Sequence, residues 1–227
     1  MILSDIEIFR KIAAVLEDLE LTYWADSGTL LGLHRDGCFI PNDKDIDLSI
    51  LASDKSYDDL IASLRNLNLG RVLIKKYGCR IHKIKVIRGL NQRTIDISLF
   101  RMHKEKLYMP VLRLNKIKEA FNASNYGAAF QLIFAKLFLE YQKFNSGEID
   151  YSNNLYKGLL RTEELWEYPE NIVIPVDTAN RHGISFPKDV EKYLEYRYGS
   201  WMIPIAKWTS EGSDKAFLRN ETYYELL

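Results

Sequence analysis

Two aspartates one residue apart, Asp45 and Asp47, sit in the run Asp45-Ile46-Asp47-Leu48-Ser49-Ile50. Successive side chains of a strand alternate between faces, so the two carboxylates share a face, about 6–7 Å apart along the backbone. Like charges held this close are unfavourable unless a cation lies between them. Magnesium takes one or two carboxylates together with phosphate oxygens, so the pair points to metal-assisted phosphoryl chemistry. A lone Asp-x-Asp fits a solvated strand face equally well, and two further features favour chemistry. The run Thr94-Ile95-Asp96-Ile97-Ser98 offers a further acid, Asp96, on a polar face that a neighbouring strand could bring beside the pair. Upstream, Ser27-Gly28-Thr29 falls at a strand-to-helix turn, where glycine permits close approach and free N–H groups attract phosphate.

The elements that must position these residues are legible from periodicity. Ser4 and Glu7 form a capping box before Ile6, Phe9, Ile12, Ala13, Leu16 and Leu19 at helical spacing, which predicts a helix over 4–19. Leu21 to Trp24 reads as a strand, and Asp26 or Ser27 caps a short helix from about Gly28 to Gly37. Strand periodicity covers 45–50, 71–76, 80–87 and 93–100, with a helix over 56–68. The first half is therefore α/β (α+β), with a small mixed or antiparallel sheet. Beyond about residue 125 the texture turns helical, with helices expected over 126–143, over 155–168, and from Pro187 to a stop at Gly199. The expected organisation is a catalytic core over 1–125 and a helical C-terminal part over 126–227 packed on it, the two forming one unit or nearly so.

Composition narrows the partners. The chain has 227 residues, with 31 basic and 31 acidic side chains, so no global attraction to nucleic acid is expected. The two cysteines, Cys38 and Cys79, lack zinc-site spacing and read as ordinary reduced thiols. The N-terminal stretch is interrupted by acids and is not a signal peptide, and the longest apolar stretch is too short to span a bilayer. These features imply no transmembrane segment and a cytoplasmic location.

The order of glycine turn, Asp-x-Asp and distant third acid is the arrangement of the nucleotidyltransferase superfamily, although the 17 positions from Gly28 to Asp45 exceed its usual gap. A closer resemblance is carried by Ser27-Gly28-Thr29-Leu30-Leu31-Gly32, Arg35, and Phe39-Ile40-Pro41-Asn42-Asp43-Lys44-Asp45-Ile46-Asp47. Phe186-Pro187, Tyr198-Gly199-Ser200-Trp201-Met202 and Pro204 add to it near the C-terminus. These segments resemble the LicD family, which includes bacterial phosphocholine transferases and fukutin-related proteins. The resemblance implies a nucleotidyltransferase-type mixed sheet with flanking helices. It also implies a CDP-linked donor, a sugar hydroxyl of a surface glycan or lipid-linked precursor as acceptor, and Mg2+ or Mn2+. Asp45, Asp47 and Asp96 would be catalytic and metal-binding, with Asp96 also helping to deprotonate the acceptor. Ser27, Gly28, Thr29, Arg35 and Lys83 would bind substrate phosphate. Asn42 stands where the family has Trp, and Lys44 replaces one acid of the acidic run.

Other residues carry two readings. Asp43 would bind metal or only cap its loop, and Arg35 would hold phosphate or pair with a surface acid. Lys75, Lys76, Arg80, His82, Lys83 and Lys85 form a basic hairpin, whose even-numbered face with Arg80 and His82 could clamp phosphate. His34 and His103 read as surface or satisfied polar residues. Tyr193, Tyr196, Trp201 and Trp208 would cage a quaternary amine or simply pack the C-terminal helix. Two alternatives stay open: nucleotidyl transfer from an NTP, and a degenerate member that binds nucleotide without turnover.

Overall fold

The computed structural model describes residues 3–53, 56–161, 164–178, 180, 182–204 and 213–219. Helix α1 (Asp5–Asp18) opens on the expected capping box, with Ser4 accepting from the Glu7 N–H and the Glu7 carboxylate accepting from the Ser4 N–H. Strand β1 (Tyr23–Ala25) leads through Asp26 into α2 (Ser27–Arg35), then β2 (Asp45–Leu51) and α3 (Asp58–Asn66). Strands β3 (Arg71–Tyr77), β4 (Arg80–Ile87), β5 (Thr94–His103) and β6 (Lys106–Pro110) follow, with a short β7 (Arg113–Leu114). The remainder comprises α4 (Ile117–Asn122), α5 (Tyr126–Asn145), β8 (Glu148–Asp150), β9 (Leu160–Arg161), β10 (Glu164–Pro169), α6 (Glu170–Val173), α7 (Val190–Tyr198) and β11 (Phe217–Arg219).

The result is the expected mixed α/β architecture. Among the described residues the main sheet runs β11-β10-β6-β5-β4-β3-β8, with β2 joined to β5 and β1 to β2. The long β5 does double duty. Its first part lies between β2, in parallel, and β4, antiparallel, while its last residues pair with β6. One face of the sheet is apolar: Ile46, Leu48, Ile50, Ile84, Val86, Ile95, Ile97 and Leu99 are buried against α1 and α3. That face uses every second residue, which obliges Asp45, Asp47, Asp96, Lys83 and Lys85 onto the other. A second core joins Leu73 of β3 to α5, β8 and the 151–159 stretch.

The C-terminal part departs from its expected helices in two places. Instead of a helix over 155–168 there is one 3-10 turn, Asn154–Tyr156, and then strands β9 and β10. Gly158 at φ +74° breaks helical continuity, and Trp166 and Tyr168 gain a partner strand in β6 that local periodicity does not reveal. Strands from beyond residue 125 thus share the sheet with β5 and β6. Helix α7 begins at Val190, capped by Asp189 rather than opened by Pro187, and Gly199 at φ +67° ends it as expected.

Candidate active site

The parallel register of β2 and β5 sets Asp47 beside Asp96 and Asp45 beside Thr94, on strands roughly 4.8 Å apart. The Thr94 hydroxyl donates to the Asp45 carboxylate. The Asp47 N–H donates to Thr29 Oγ1 at 2.9 Å, and its carbonyl accepts from the Asp26 N–H at 3.1 Å. The first turn of α2 is thereby fastened to the middle of the acid pair. Burial pushes the Asp47 carboxyl well above its ordinary range; Lys83 opposes this, while Asp96, Asp26 and Asp43 reinforce it. An anion held at such a cost favours a nearby cation.

Asp96 is nearly inaccessible and lies between two ammoniums, Lys83 Nζ at 2.6 Å and Lys85 Nζ at 3.0 Å. Burial alone would raise its pKa, but the two lysines outweigh burial and hold it below the usual carboxylate value. The odd-numbered face of β4 therefore serves the site. The even face, where Arg80 and His82 suggested a clamp, turns His82, Ile84 and Val86 into the main core.

Asp43 reaches the same cavity. Its carboxyl is raised by burial and by neighbouring Asp45, and it accepts weakly from the Asp45 N–H at 3.4 Å. Gly28 is what makes room for it, because a Cβ at that position would collide with the Asp43 carboxylate. Gly32 plays the matching role one turn on, where a Cβ would come within 2.6 Å of the Cys38 carbonyl. Arg93 fixes the loop from behind, donating to the Ile40 carbonyl at 2.6 Å and the Asp43 carbonyl at 2.9 Å.

These groups line a cavity of about 670 Å³. Ser27, Gly28, Arg35, Asp45, Asp47, Lys83 and Asp96 all border it. Thr29 does not: it is fully buried, and its hydroxyl anchors β2 rather than cradling phosphate. Arg35 borders the cavity but is also gripped by Asp36 at 2.9 and 2.8 Å and by the Trp201 carbonyl at 3.2 Å. His34 lies outside this cavity against Trp201, and His103 sits near Tyr108 at the far end of β5.

Beyond the acids the wall is aromatic, formed by Phe100, Trp166, Tyr168, Tyr198 and Trp201 with Met109. Of the three described aromatics suggested for a cage, only Trp201 lies here. Tyr193 is buried, stacked on Tyr168 at 4.8 Å, Tyr196 packs against the core, and Trp208 lies outside the described residues.

Between the two ends is a charged cluster that sequence reasoning missed. Arg197 donates to Asp26 at 2.7 Å, to Ser27 Oγ at 2.7 Å and to Asp214 at 2.6 Å, with its guanidinium over Trp166 and Tyr198. Asp26 also accepts from the Ser27 N–H and the Ser49 hydroxyl, each at 2.5 Å, and from the Tyr193 hydroxyl. This cluster holds Ser27 at its positive φ of 53°. The available signal was Arg197 itself, a cation four residues after Tyr193 on the buried stripe of α7.

Among the described residues no group of three His, Cys, Asp or Glu side chains is gathered to hold a metal ion unaided. The donor chemistry of Asp45 and Asp47 still fits magnesium or manganese, whose shells are completed by water and substrate phosphate. Asp96, already bridging two ammoniums, is poorly placed to be a ligand.

A mixed sheet with carboxylates in register on adjacent strands, facing a glycine turn at a helix start, defines a nucleotidyltransferase-type domain. Residues 20–188 match the family described as LicD/FKTN/FKRP, nucleotidyltransferase domain, and the chain belongs to that family. It is similar to the ribitol-5-phosphate transferase FKTN of Mus musculus, 24% identical over 209 residues, covering 91% of this chain and 35% of that protein. The Homo sapiens counterpart is 22% identical over 204 residues, covering 89% of this chain and 34% of the relative. An uncharacterised protein of Rickettsia typhi is 30% identical over 105 residues, 46% of this chain and 31% of that protein. The chain thus spans about a third of the length of these relatives. No helix among the described residues is long and apolar enough to cross a membrane.

Proposed function

We propose that the chain is a metal-dependent phosphotransferase. It moves a phospho-substituent, phosphocholine or a phospho-alditol such as ribitol phosphate, from a CDP-linked donor to a sugar hydroxyl of a glycan or its lipid-linked precursor. The observation that carries this reading is the division of one cavity into an acid-and-lysine end and an aromatic end. The first suits a diphosphate, and the second suits a base or head group. The aromatic wall also answers the absence of Trp at Asn42, since Trp166, Tyr198 and Trp201 supply rings from elsewhere.

Asp45 and Asp47 would hold the metal, which supplies charge neutralisation on the donor diphosphate. The start of α2 at Gly28 would offer its N–H to a phosphate oxygen, the Ser27 N–H being taken by Asp26. Lys83, kept charged by Asp96 and Asp47 despite burial, meets negative charge developing on the bridging oxygen. The acceptor oxygen bonds to the transferred phosphorus, the bond from that phosphorus to the bridging oxygen breaks, and CMP leaves with the electron pair. The acceptor proton needs a base. Asp43, raised by burial, suits this step better than Asp96, which its two lysines hold low.

The test is product analysis with magnesium, CDP-ribitol, CDP-glycerol or CDP-choline, and candidate glycans. Acceptor-dependent CMP release supports the reading. Pyrophosphate from CTP with no CMP from any CDP conjugate replaces it with nucleotidyl transfer. Nucleotide binding by thermal shift without turnover in either assay replaces it with a binding-only role.

A further inference from the structure

Helix α5 carries apolar side chains on two opposite sides, with Gln131, Lys136, Glu140, Gln142 and Lys143 between them. One side is buried in the second core through Ala129, Leu132 and Ala135. On the other, Tyr126, Phe130, Phe134, Leu137, Tyr141 and Phe144 are each between 58% and 79% exposed. A contiguous exposed apolar stripe of this kind marks an interaction surface. At about 200 Å² per large side chain and roughly 60% exposure, the six present about 700 Å². A stable protein–protein interface buries about 800 Å² per partner. Phe121, which is 41% exposed and edge-on to Tyr126, extends the patch towards that size.

The spacing identifies the occupant. From Phe130 to Phe144 the exposed residues follow at alternating steps of four and three, a seam for another helix. Leu137 is its midpoint, seven residues from each end. A twofold axis at Leu137 would lay Phe130 of one copy against Phe144 of the other, the self-complementarity an isologous dimer requires. A lipid surface would instead call for a broad apolar face backed by an exposed cationic one. The back of α5 is buried in protein, and its Lys143 is paired with Glu140 at 2.5 Å. We infer that α5 forms the interface of a homodimer, in which a second copy of the chain lays the same helix antiparallel along it.

Sedimentation of the purified chain over a concentration series tests this. Wild type should approach about 53 kDa, twice the chain mass of 26.5 kDa. The Phe134→Glu/Leu137→Glu variant should stay at the single-chain mass with the far-UV circular dichroism of the folded wild type. Leu137→Cys on a Cys38→Ser, Cys79→Ser background should cross-link copy to copy with a short bismaleimide. Three results would overturn the inference: a wild type monomeric at high micromolar concentration, a dimer that survives in the double variant, or a monomer that co-floats with phosphatidylcholine/phosphatidylglycerol vesicles through this face.

Discussion

Replacing Arg197 with Met should cost far more than an arginine ordinarily does. The guanidinium is 3% exposed and answers two carboxylates, Asp26 and Asp214, that are 4% and 6% exposed. Breaking a buried ion pair by removing one partner costs about 3–5 kcal/mol. Met keeps some apolar contact with Trp166 and Tyr198, so we take about 4 kcal/mol. For a domain of this size each kcal/mol moves the melting temperature by roughly 2–4 °C, which gives a drop of about 8–16 °C. The loss should depend on pH with a definite sign. Burial already raises the Asp214 carboxyl, with Arg197 opposing it. Without the guanidinium its folded-state pKa rises further, so stability is retained at low pH and lost as pH rises. The gap between variant and wild type should therefore be wider at pH 8 than at pH 5 in calorimetric or fluorescence melts. Arg197→Lys, which keeps the charge but not the fork of donors, should fall between. A melting temperature within 3 °C of wild type at pH 8 would refute the claim that this cluster pins the start of α2.

Other outcomes follow from the same geometry. Asp47→Asn should lower turnover by more than about 100-fold, the scale of losing one electrostatic group, while melting stays level or rises because a buried charge is removed; activity within tenfold of wild type would remove it from the reaction. Gly28→Ala should displace the Asp43 carboxylate and cost on the order of 100-fold in kcat/KM with little change in melting; full activity would show that Asp43 is a bystander. His82, with neither ring nitrogen hydrogen-bonded, is held down to about 3 by burial, aided by Arg101 and Arg80. Its folded pKa lies below the unfolded value, so stability is present above about pH 6.5 and falls as pH drops towards 3, by about 2 kcal/mol at pH 5. Urea midpoints at pH 7.5 and pH 5 should show His82→Phe losing that part of the acid sensitivity, and an identical pH dependence in the variant would count against it.

The face-to-face logic of the sheet was legible because alternation is a local signal. Ile46 and Ile95 going inward decide that Asp47 and Asp96 go outward, and one register then brings them together. What was not legible depended on partners distant in the chain. Trp166 and Tyr168 read as helical until β6 is beside them, and Asp26 read as a cap with no sign of Arg197, 171 positions away. The lysines of β4 were visible as charges. Which of them would meet an acid followed only from pairing with β5.

The branching of β5 has a consequence for how such a molecule can change. Its first half carries Asp96 and lies between β2, with Asp45 and Asp47, and β4, with Lys83 and Lys85, and its last residues reach through β6 to β10, where Trp166 and Tyr168 stand. On the proposed function, reaction chemistry and head-group fit would thus fall on different strands of one sheet. On that reading, a substitution on β10 would reshape what rests against the rings and leave Asp45 and Asp47 in place. A library confined to Trp166, Tyr168, Tyr198 and Trp201 is accordingly the place to seek altered use of the proposed donors, with Asp45 and Asp47 untouched.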